Sequence, residues 1–423
     1  MDSANQSRDM LGRRGLTRVA EARTILLDRL DNLQHPTERI SLGDALDRVT
    51  AEPIVAAEDL PPAPRSTMDG FAVIAADTFG ATQSLPAYLQ ITGEVLMGTP
   101  PEGCLERGSC YRIPTGGLLP DNADSVVMLE HTVPVDETMV EVVKGIGSGT
   151  NVIKTGDDIR AGVQALSAGH RLRPSDLGLL AGLGIDKVVV YRRPRIGIIA
   201  TGDEIIDHRQ PSAAGKIRNI NSVTLAALAK RCGATVTDYG IVSDREEIFF
   251  ATVARAVEET DLVFFSGGSS VGVRDLGERT IERLGSPGIL VHGVTLKPGK
   301  PIIIGLCNQT PVFGLPGHPV SAMVCFDFFV RPAVRALSGE RAGDCHPVPS
   351  ISARLMRSIN SAAGRLDVIR VRLDRDQGQW RCHPILGRSG AISTMSRADG
   401  YFLINEDSQG LAEGEQVEVY IYQ

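Results

Sequence analysis

The period of the apolar positions shifts repeatedly along this 423-residue chain, and each shift marks a new kind of element. Over residues 17–33, Val19, Ala22, Ile25, Leu26 and Leu30 recur at helical spacing and predict an amphipathic helix. A second, short helix is expected over residues 41–48, opening on a capping serine and stopped before Pro53. Residues 60–70 (L-P-P-A-P-R-S-T-M-D-G) then carry three prolines in five positions, which forces extended backbone and suits a linker. Short strand-like runs at 71–75, 88–95, 110–114 and 125–130, separated by Gly and Pro, read as a small β domain over residues 59–150. Residues 151–192 hold a helix (P-S-D-L-G-L-L-A-G-L-G) and a strand (D-K-V-V-V-Y). Residues 16–58 and 151–192 are each too small to stand alone, so one N-terminal domain interrupted by the β insertion is expected.

From Arg195 strand and helix patterns alternate: I-G-I-I-A, helix, A-T-V-T-D-Y-G-I-V, helix, L-V-F-F, helix, then I-L-V-H-G-V, P-I-I-I-G-L, P-V-F-G-L and a long apolar helix over residues 320–337. Such alternation predicts a doubly wound, mostly parallel sheet over residues 193–338. Residues 339–423 return to strand patterns and predict a second small β domain. The expected fold class is therefore α/β multidomain: a central doubly wound α/β domain, two small β domains and an elongated α+β N-terminal domain. Residues 1–15 are expected to be a disordered tail.

Ligands bind beyond the carboxyl ends of the strands in such sheets. The loops there, residues 201–204, 243–244, 266–270, 297–300 and 315–319, all carry Gly, Pro, Ser or ionisable residues, and most are expected on one edge. Charge sharpens this picture. The chain has a formal net charge of −7, which argues against a general affinity for nucleic acid or anionic membrane. Residues 195–338 hold 15 Lys and Arg against 14 Asp and Glu, a net of +1 that leaves −8 elsewhere, so this region is the least hostile to an anion. The seven scattered cysteines form no C-x-x-C pair, and no apolar run approaches a signal peptide core or a membrane span. A cytoplasmic protein with reduced thiols is expected.

In residues 261–275 (D-L-V-F-F-S-G-G-S-S-V-G-V-R-D) a buried strand feeds a loop of small residues, Ser266, Gly267, Gly268, Ser269 and Ser270, and helical sequence resumes after Asp275. Backbone N–H groups in such a loop suit an anion. The Pro298-Gly299 pair fits the centre of a type II turn, with Lys297 and Lys300 at its ends as a clamp for phosphate or another tetrahedral oxyanion. Gly202, Pro316, Gly317 and His318 complete the candidate ligand loops, His318 as a structural or ligand-contact residue in preference to a catalytic base. Carboxylates beside an anion site imply an intervening hard cation such as Mg2+, for which Glu204, Asp244 and Asp275 are the candidate ligands. Asp244 and Asp275 equally fit helix N-caps. Asp69 reads equally as a turn residue, Thr115 as a cap and Asp158 as part of an exposed acidic turn. The chemistry these loops suit is Mg2+-assisted phosphoanhydride cleavage or transfer, governed by positioning and charge neutralisation.

Taken together, M-D-G-F-A-V (68–73), I-P-T-G-G (113–117), A-D-S-V-V-M-L-E (123–130), G-D-D (156–158), T-G-D-E (201–204), G-K-I-R-N-I-N (215–221), S-G-G-S-S-V-G-V-R-D (266–275), K-P-G-K-P (297–301) and L-P-G-H-P-V-S-A (315–322) resemble the molybdopterin molybdenumtransferase (MoeA) family over nearly the whole chain. The resemblance implies an elongated homodimer whose site lies between the α/β domain of one subunit and the small β domain of the other. It implies that adenylylated molybdopterin and molybdate are substrates, that AMP is released and that Mg2+ assists. It implies handover from a molybdopterin adenylyltransferase and onward to molybdoenzymes. By motif, Asp69, Thr115 and Asp158 come from the insertion and its neighbour, Glu204, Asp244, Asp275, Lys297 and Lys300 from the α/β loops, and Ser389 from the C-terminal domain. This chain departs from the family pattern at Asn219, where many members have Asp, at Gly293, where many carry a base, and at His318, where many have Asn. Two other readings are a molybdopterin adenylyltransferase, which the Asp69 and Thr115 motifs argue against, and a gephyrin-like scaffold, which the intact acidic and lysine loops argue against. Molybdate and tungstate, tetrahedral dianions of similar size, are not distinguished by the sequence.

Overall fold

The computed structural model describes residues 15–31, 33, 35–211, 213–267, 271–340 and 349–422, with the side chains of residues 271–274 left aside. The expected tail, apart from residue 15, and the loop residues Gly268, Ser269 and Ser270 therefore lie outside the described residues. The chain divides into two compact units, Met1–Glu38 with Asp47–Ala51 and Val189–Gln423, and Arg39–Leu46 with Glu52–Val188.

The first unit is built on the strand-helix alternation. In Leu262–Gly267 every residue of L-V-F-F is buried, but on opposite faces. Leu262 and Phe264 enter one core cluster, Val263 and Phe265 the other. That two-sided burial, worth ~2 kcal/mol per large side chain, is what fixes a central strand of a doubly wound sheet. The strand order is Thr235–Val242, Arg195–Thr201, Leu262–Gly267, Thr310–Leu315, Ile303–Cys307, Pro287–His292. The first three pairings are parallel and the last two antiparallel. Helices Asn221–Arg231, Pro319–Cys325 and Arg331–Leu337 contribute to one core. Glu246–Glu259 and Val271–Leu284 contribute to the other. The N-terminal helix, Val19–Leu30, buries Ala22, Leu26 and Leu30 in the first of these cores.

Strands from the C-terminal region form a six-stranded sheet, Leu296–Lys297, Leu366–Asp376, Gln379–Pro384, Ser350–Leu355, Gln416–Ile421 and Gly400–Ile404. An additional pairing of Leu366–Asp376 with Gly400–Ile404 closes five of them into a ring around Val371, Cys382, Phe402 and Val419. Its sixth strand, Leu296–Lys297, belongs to the K-P-G-K loop and was not expected as a strand.

The second unit carries a six-stranded sheet, Ser125–Met128, Gly70–Val73, Ser109–Ile113, Ala87–Glu94, Met139–Val142 and Thr132–Pro134. Four of these match the expected strands. The proline arm continues as Arg65–Ser66, which pairs with Val152–Ile153. No helix among the described residues is long and apolar enough to cross a membrane.

Four local expectations are corrected. Residues 41–48 form only a 3-10 turn, Leu42–Asp44, after the strand Thr37–Ser41. Asp47 then takes left-handed backbone at φ 62°, which an α-helix cannot continue through. The long apolar helix passes through a π-helical turn, Phe326–Val330, because Pro332 has no N–H to offer the regular ladder. The helix after the S-G-G-S-S loop begins at Val271, so Asp275 lies inside it and is no N-cap. Burial of Leu276 and Ile281 outweighs the poor helix propensity of Gly272. Asp244 is no N-cap either, since Arg245 holds that position before Glu246–Glu259.

Candidate active site

The sheet topology settles which loops share an edge. Pro287–His292 runs antiparallel to Ile303–Cys307, which runs antiparallel to Thr310–Leu315, so the first is again parallel to the rest. The ends of the strands at Thr201, Val242, Gly267, His292 and Leu315, and the start at Ile303, therefore face one way. The described residues of all five expected loops lie on that edge.

At its acidic side, Thr201 Oγ1 donates to Asp244 Oδ1 at 2.6 Å. Asp244 N donates to Asp203 Oδ1 at 3.4 Å, and Lys216 Nζ to Asp203 O at 2.7 Å. Gly202, at φ 135°, leaves room where a Cβ would sit 2.8 Å from Glu204 Oε2, so the Glu204 carboxylate folds back over it. Among the described residues no three His, Cys, Asp or Glu side chains converge as a ready metal site.

Asn221 joins two of the loops: its Nδ2 donates to Ser266 Oγ at 2.6 Å and to Gly317 O at 3.0 Å, while its Oδ1 is buried without a partner. Sequence reasoning quoted this residue in a motif but assigned it no role. Asn219, one residue before the N-cap Ile220 of the helix Asn221–Arg231, exchanges hydrogen bonds of 2.9 and 3.0 Å with Ser222. Gly293 has φ 80°, and a Cβ there would lie 2.9 Å from Leu16 Cδ2. His292 faces Glu278, 3.9 Å from Nδ1 to Oε1.

A cavity of about 820 Å3 opens between the edge loops and the C-terminal β domain. Gly267, Lys297, Pro298, Gly299, Lys300, Pro316, Gly317, His318 and Ser389 line it. His318 Nδ1 and Ser389 Oγ are 2.9 Å apart, and Ser389 O accepts Val320 N at 3.1 Å, so the C-terminal domain is fastened to the helix start at residue 319. The K-P-G-K loop is not a type II turn. Its Lys297–Pro298 peptide is cis and Gly299 has φ 132°. Lys297 is held in a strand, and a Cβ on Gly299 would lie 2.9 Å from both Cys325 Sγ and Leu296 Cδ2.

The same cavity holds residues that sequence reasoning missed: Arg365, Asp367, Arg370 and Arg388. Lys297 Nζ contacts Asp367 Oδ2 at 3.4 Å, and Arg365 Nε donates to Asp367 Oδ1 at 2.8 Å. Arg370 is only 6% exposed, donates to Gly387 O at 3.3 Å and leaves its Nε without a partner. Burial pulls its pKa below the ordinary arginine value, with Tyr422 opposing. A buried cation without a carboxylate is costly unless something anionic meets it.

In the second unit, Thr115 N donates to Asp69 Oδ1 at 2.7 Å, which brings two expected residues together. The glycine of M-D-G is required there, because a Cβ on Gly70 would lie 1.9 Å from Val127 O. Asp69 also lines a cavity of about 570 Å3 with Glu94 and Arg112. Asp158 stands apart and exposed, on a turn whose N–H donates to Leu60 O at 3.1 Å.

Three family models cover the chain: the MoeA N-terminal region (domains I and II) over residues 17–184, a probable molybdopterin binding domain over 197–336 and the MoeA C-terminal region (domain IV) over 352–422. The molybdopterin molybdenumtransferase of Bacillus subtilis is 32% identical, over 92% of this chain and 90% of that protein. The one from Haemophilus influenzae is 31% identical, over 94% and 97%. The crystal structure of the molybdopterin biosynthesis MoeA protein from Pyrococcus horikoshii superposes with a TM-score of 0.83 at 32% identity, covering 96% of this chain and all of that one. By sequence, by fold and by the loops that meet at its sheet edge, this chain belongs to the molybdopterin molybdenumtransferase (MoeA) family.

Proposed function

We propose that this chain completes the molybdenum cofactor, inserting molybdenum from molybdate into adenylylated molybdopterin and releasing AMP. The observation that carries this reading is the cavity of about 820 Å3 into which Lys297, Lys300, Arg365 and the buried, acid-free Arg370 bring positive charge. That charge suits a tetrahedral dianion beside a phosphorylated substrate. Gly267, the last residue of its strand, lines the same cavity, and the Gly- and Ser-rich sequence that follows it suits phosphates. Ser389, fixed by His318, offers a hydroxyl to an oxyanion oxygen.

Glu204, Asp244 and Asp275 are the residues that would hold Mg2+. Asp244, held by the Thr201 hydroxyl beside Asp203, is the donor that best fits a hard cation, and Mg2+ needs only one or two carboxylates besides water and phosphate oxygens. Bound there, the ion supplies charge neutralisation as the phosphoanhydride breaks. The protein side of the reaction is positioning. Lysine and arginine charges hold the oxyanion, and the carboxylates keep the phosphate end where the cation meets it.

Asp69 and Thr115 complete the site from the partner subunit of a homodimer, with Asp158 approaching along the acidic turn. The substrate arrives from an adenylyltransferase and the product passes to molybdoenzymes. The free thiols of Cys104, Cys110, Cys307, Cys325 and Cys382 suit the reducing cytoplasm. The test is direct: purified chain, Mg2+, adenylylated molybdopterin and molybdate, with AMP followed chromatographically. AMP release that does not respond to molybdate overturns the reading.

A further inference from the structure

Asp367 is 1% exposed, yet it is a carboxylate in a wall otherwise supplied with cations. It joins two of them: Oδ1 accepts Arg365 Nε at 2.8 Å, and Oδ2 is shared, 3.4 Å from both Arg365 Nη2 and Lys297 Nζ. These cations come from different domains. Lys297 ends the short strand Leu296–Lys297 that leaves the α/β domain, and it sits in register opposite Asp367 on Leu366–Asp376 of the C-terminal ring. Leu366 N donates to Thr295 O at 2.7 Å just before, and Thr295 Oγ1 in turn contacts Glu406, so the backbone under this trio is pinned on both sides.

We propose that Asp367 is a positioning residue, which holds Lys297 and Arg365 side by side as one oxyanion clamp. The inference rests on the reading of this cavity as the oxyanion site. The side chains of Lys297 and Arg365 are 55% and 36% exposed. Left to themselves, two such long cations repel and sample many rotamers. A carboxylate fixed in a strand between them removes both freedoms and leaves the trio with a net single positive charge aimed at the cavity. Two effects of removing it oppose each other: the clamp gains net charge, which favours an anion, and it loses its geometry. Geometry prevails here, because Asp367 is buried and cannot move aside, whereas both cations can swing into water.

The test is calorimetric titration of the full chain with molybdate alone, beside steady-state turnover. Asp367→Asn is expected to weaken molybdate binding and raise the KM for molybdate by roughly 10-fold, with the KM for adenylylated molybdopterin and the unfolding midpoint near wild type. Asp367→Glu restores much of the binding, and in a Lys297→Met background Asp367→Asn costs less than it does in the wild type, because only the Arg365 half of the clamp is left to lose. Unchanged or tighter binding in Asp367→Asn, or a loss that simply adds to that of Lys297→Met, overturns the proposal. A variant that does not fold is replaced by Asp367→Glu, whose molybdate affinity equal to that of Lys297→Met would likewise overturn it. An active wild type with an unaffected variant removes this proposal alone. A wild type that neither binds molybdate nor turns over removes the oxyanion reading as well.

Discussion

Arg370 has a charge at a position where a protein of this fold gains stability from an apolar side chain. Its guanidinium has one backbone acceptor, Gly387 O, and its Nε has none. Replacing an uncompensated buried charge by an apolar group of similar length is neutral or stabilising, by ~1 kcal/mol. Arg370→Met is therefore expected to raise the thermal midpoint slightly while lowering kcat/KM for molybdate at least ~10-fold, the signature of a residue kept for binding. Equal activity with higher stability would remove Arg370 from the site. Neither this residue nor Asp367 was legible in the sequence. In L-D-V-I-R-V-R-L a strand reading assigns charged positions to a solvent face, but here both faces are covered: Asp367 lies on the face of the ring core with Ile369 and Val371, and Arg370 on the opposite face with Val368. Ser389, by contrast, is expected from the family resemblance, and the structure puts its Oγ 2.9 Å from His318 Nδ1.

The sheet is held at its other edge by a second kind of charge pairing. Asp261 precedes the strand Leu262–Gly267 and takes Arg195 N at 2.7 Å, Arg195 Nη2 at 3.0 Å and Arg192 Nη2 at 3.0 Å, tying the starts of two neighbouring strands. Burial pushes its carboxyl pKa up, but the Arg195 and then the Arg192 hydrogen bonds outweigh that and hold it below the usual range. A group depressed in the folded state contributes stability that is full above the ordinary carboxylate pKa and is lost as pH falls through the folded one. Asp261→Asn is thus expected to cost ~2 kcal/mol at pH 7, with the difference shrinking below pH ~4, and to leave turnover of the folded enzyme unchanged. Urea unfolding at several pH values checks this, and a deficit independent of pH would point to packing instead. Elements of this kind were largely readable from pattern. The two-sided L-V-F-F run and the strand-helix alternation follow from hydrophobic period alone. The helix boundaries were less so: Val271 starts its helix early because Leu276 and Ile281 are buried, and Asp47 ends a run that looked helical because of its backbone conformation.

At the scale of the molecule, the residues read as functional fall into two groups, each in its own compact unit. Asp69 and Thr115 are hydrogen-bonded in one, and the sheet-edge loops with the cavity of about 820 Å3 are in the other. If each reaction centre draws one group from either subunit of a homodimer, two inactive chains must be able to rescue each other. Asp69→Asn removes the negative charge from the group that accepts from Thr115 N, and Asp275→Asn removes a carboxylate assigned to Mg2+; both substitutions are nearly isosteric, so both chains are expected to fold and each alone to turn over slowly. Subunit exchange by random association makes half of the dimers mixed. Each mixed dimer has one centre with both substitutions and one with neither, so about a quarter of wild-type activity returns. A centre assembled within a single chain gives a different result, since every copy then keeps one lesion and mixing restores nothing. The experiment needs only the two purified variants, dissociated and reassociated together, and AMP release measured before and after.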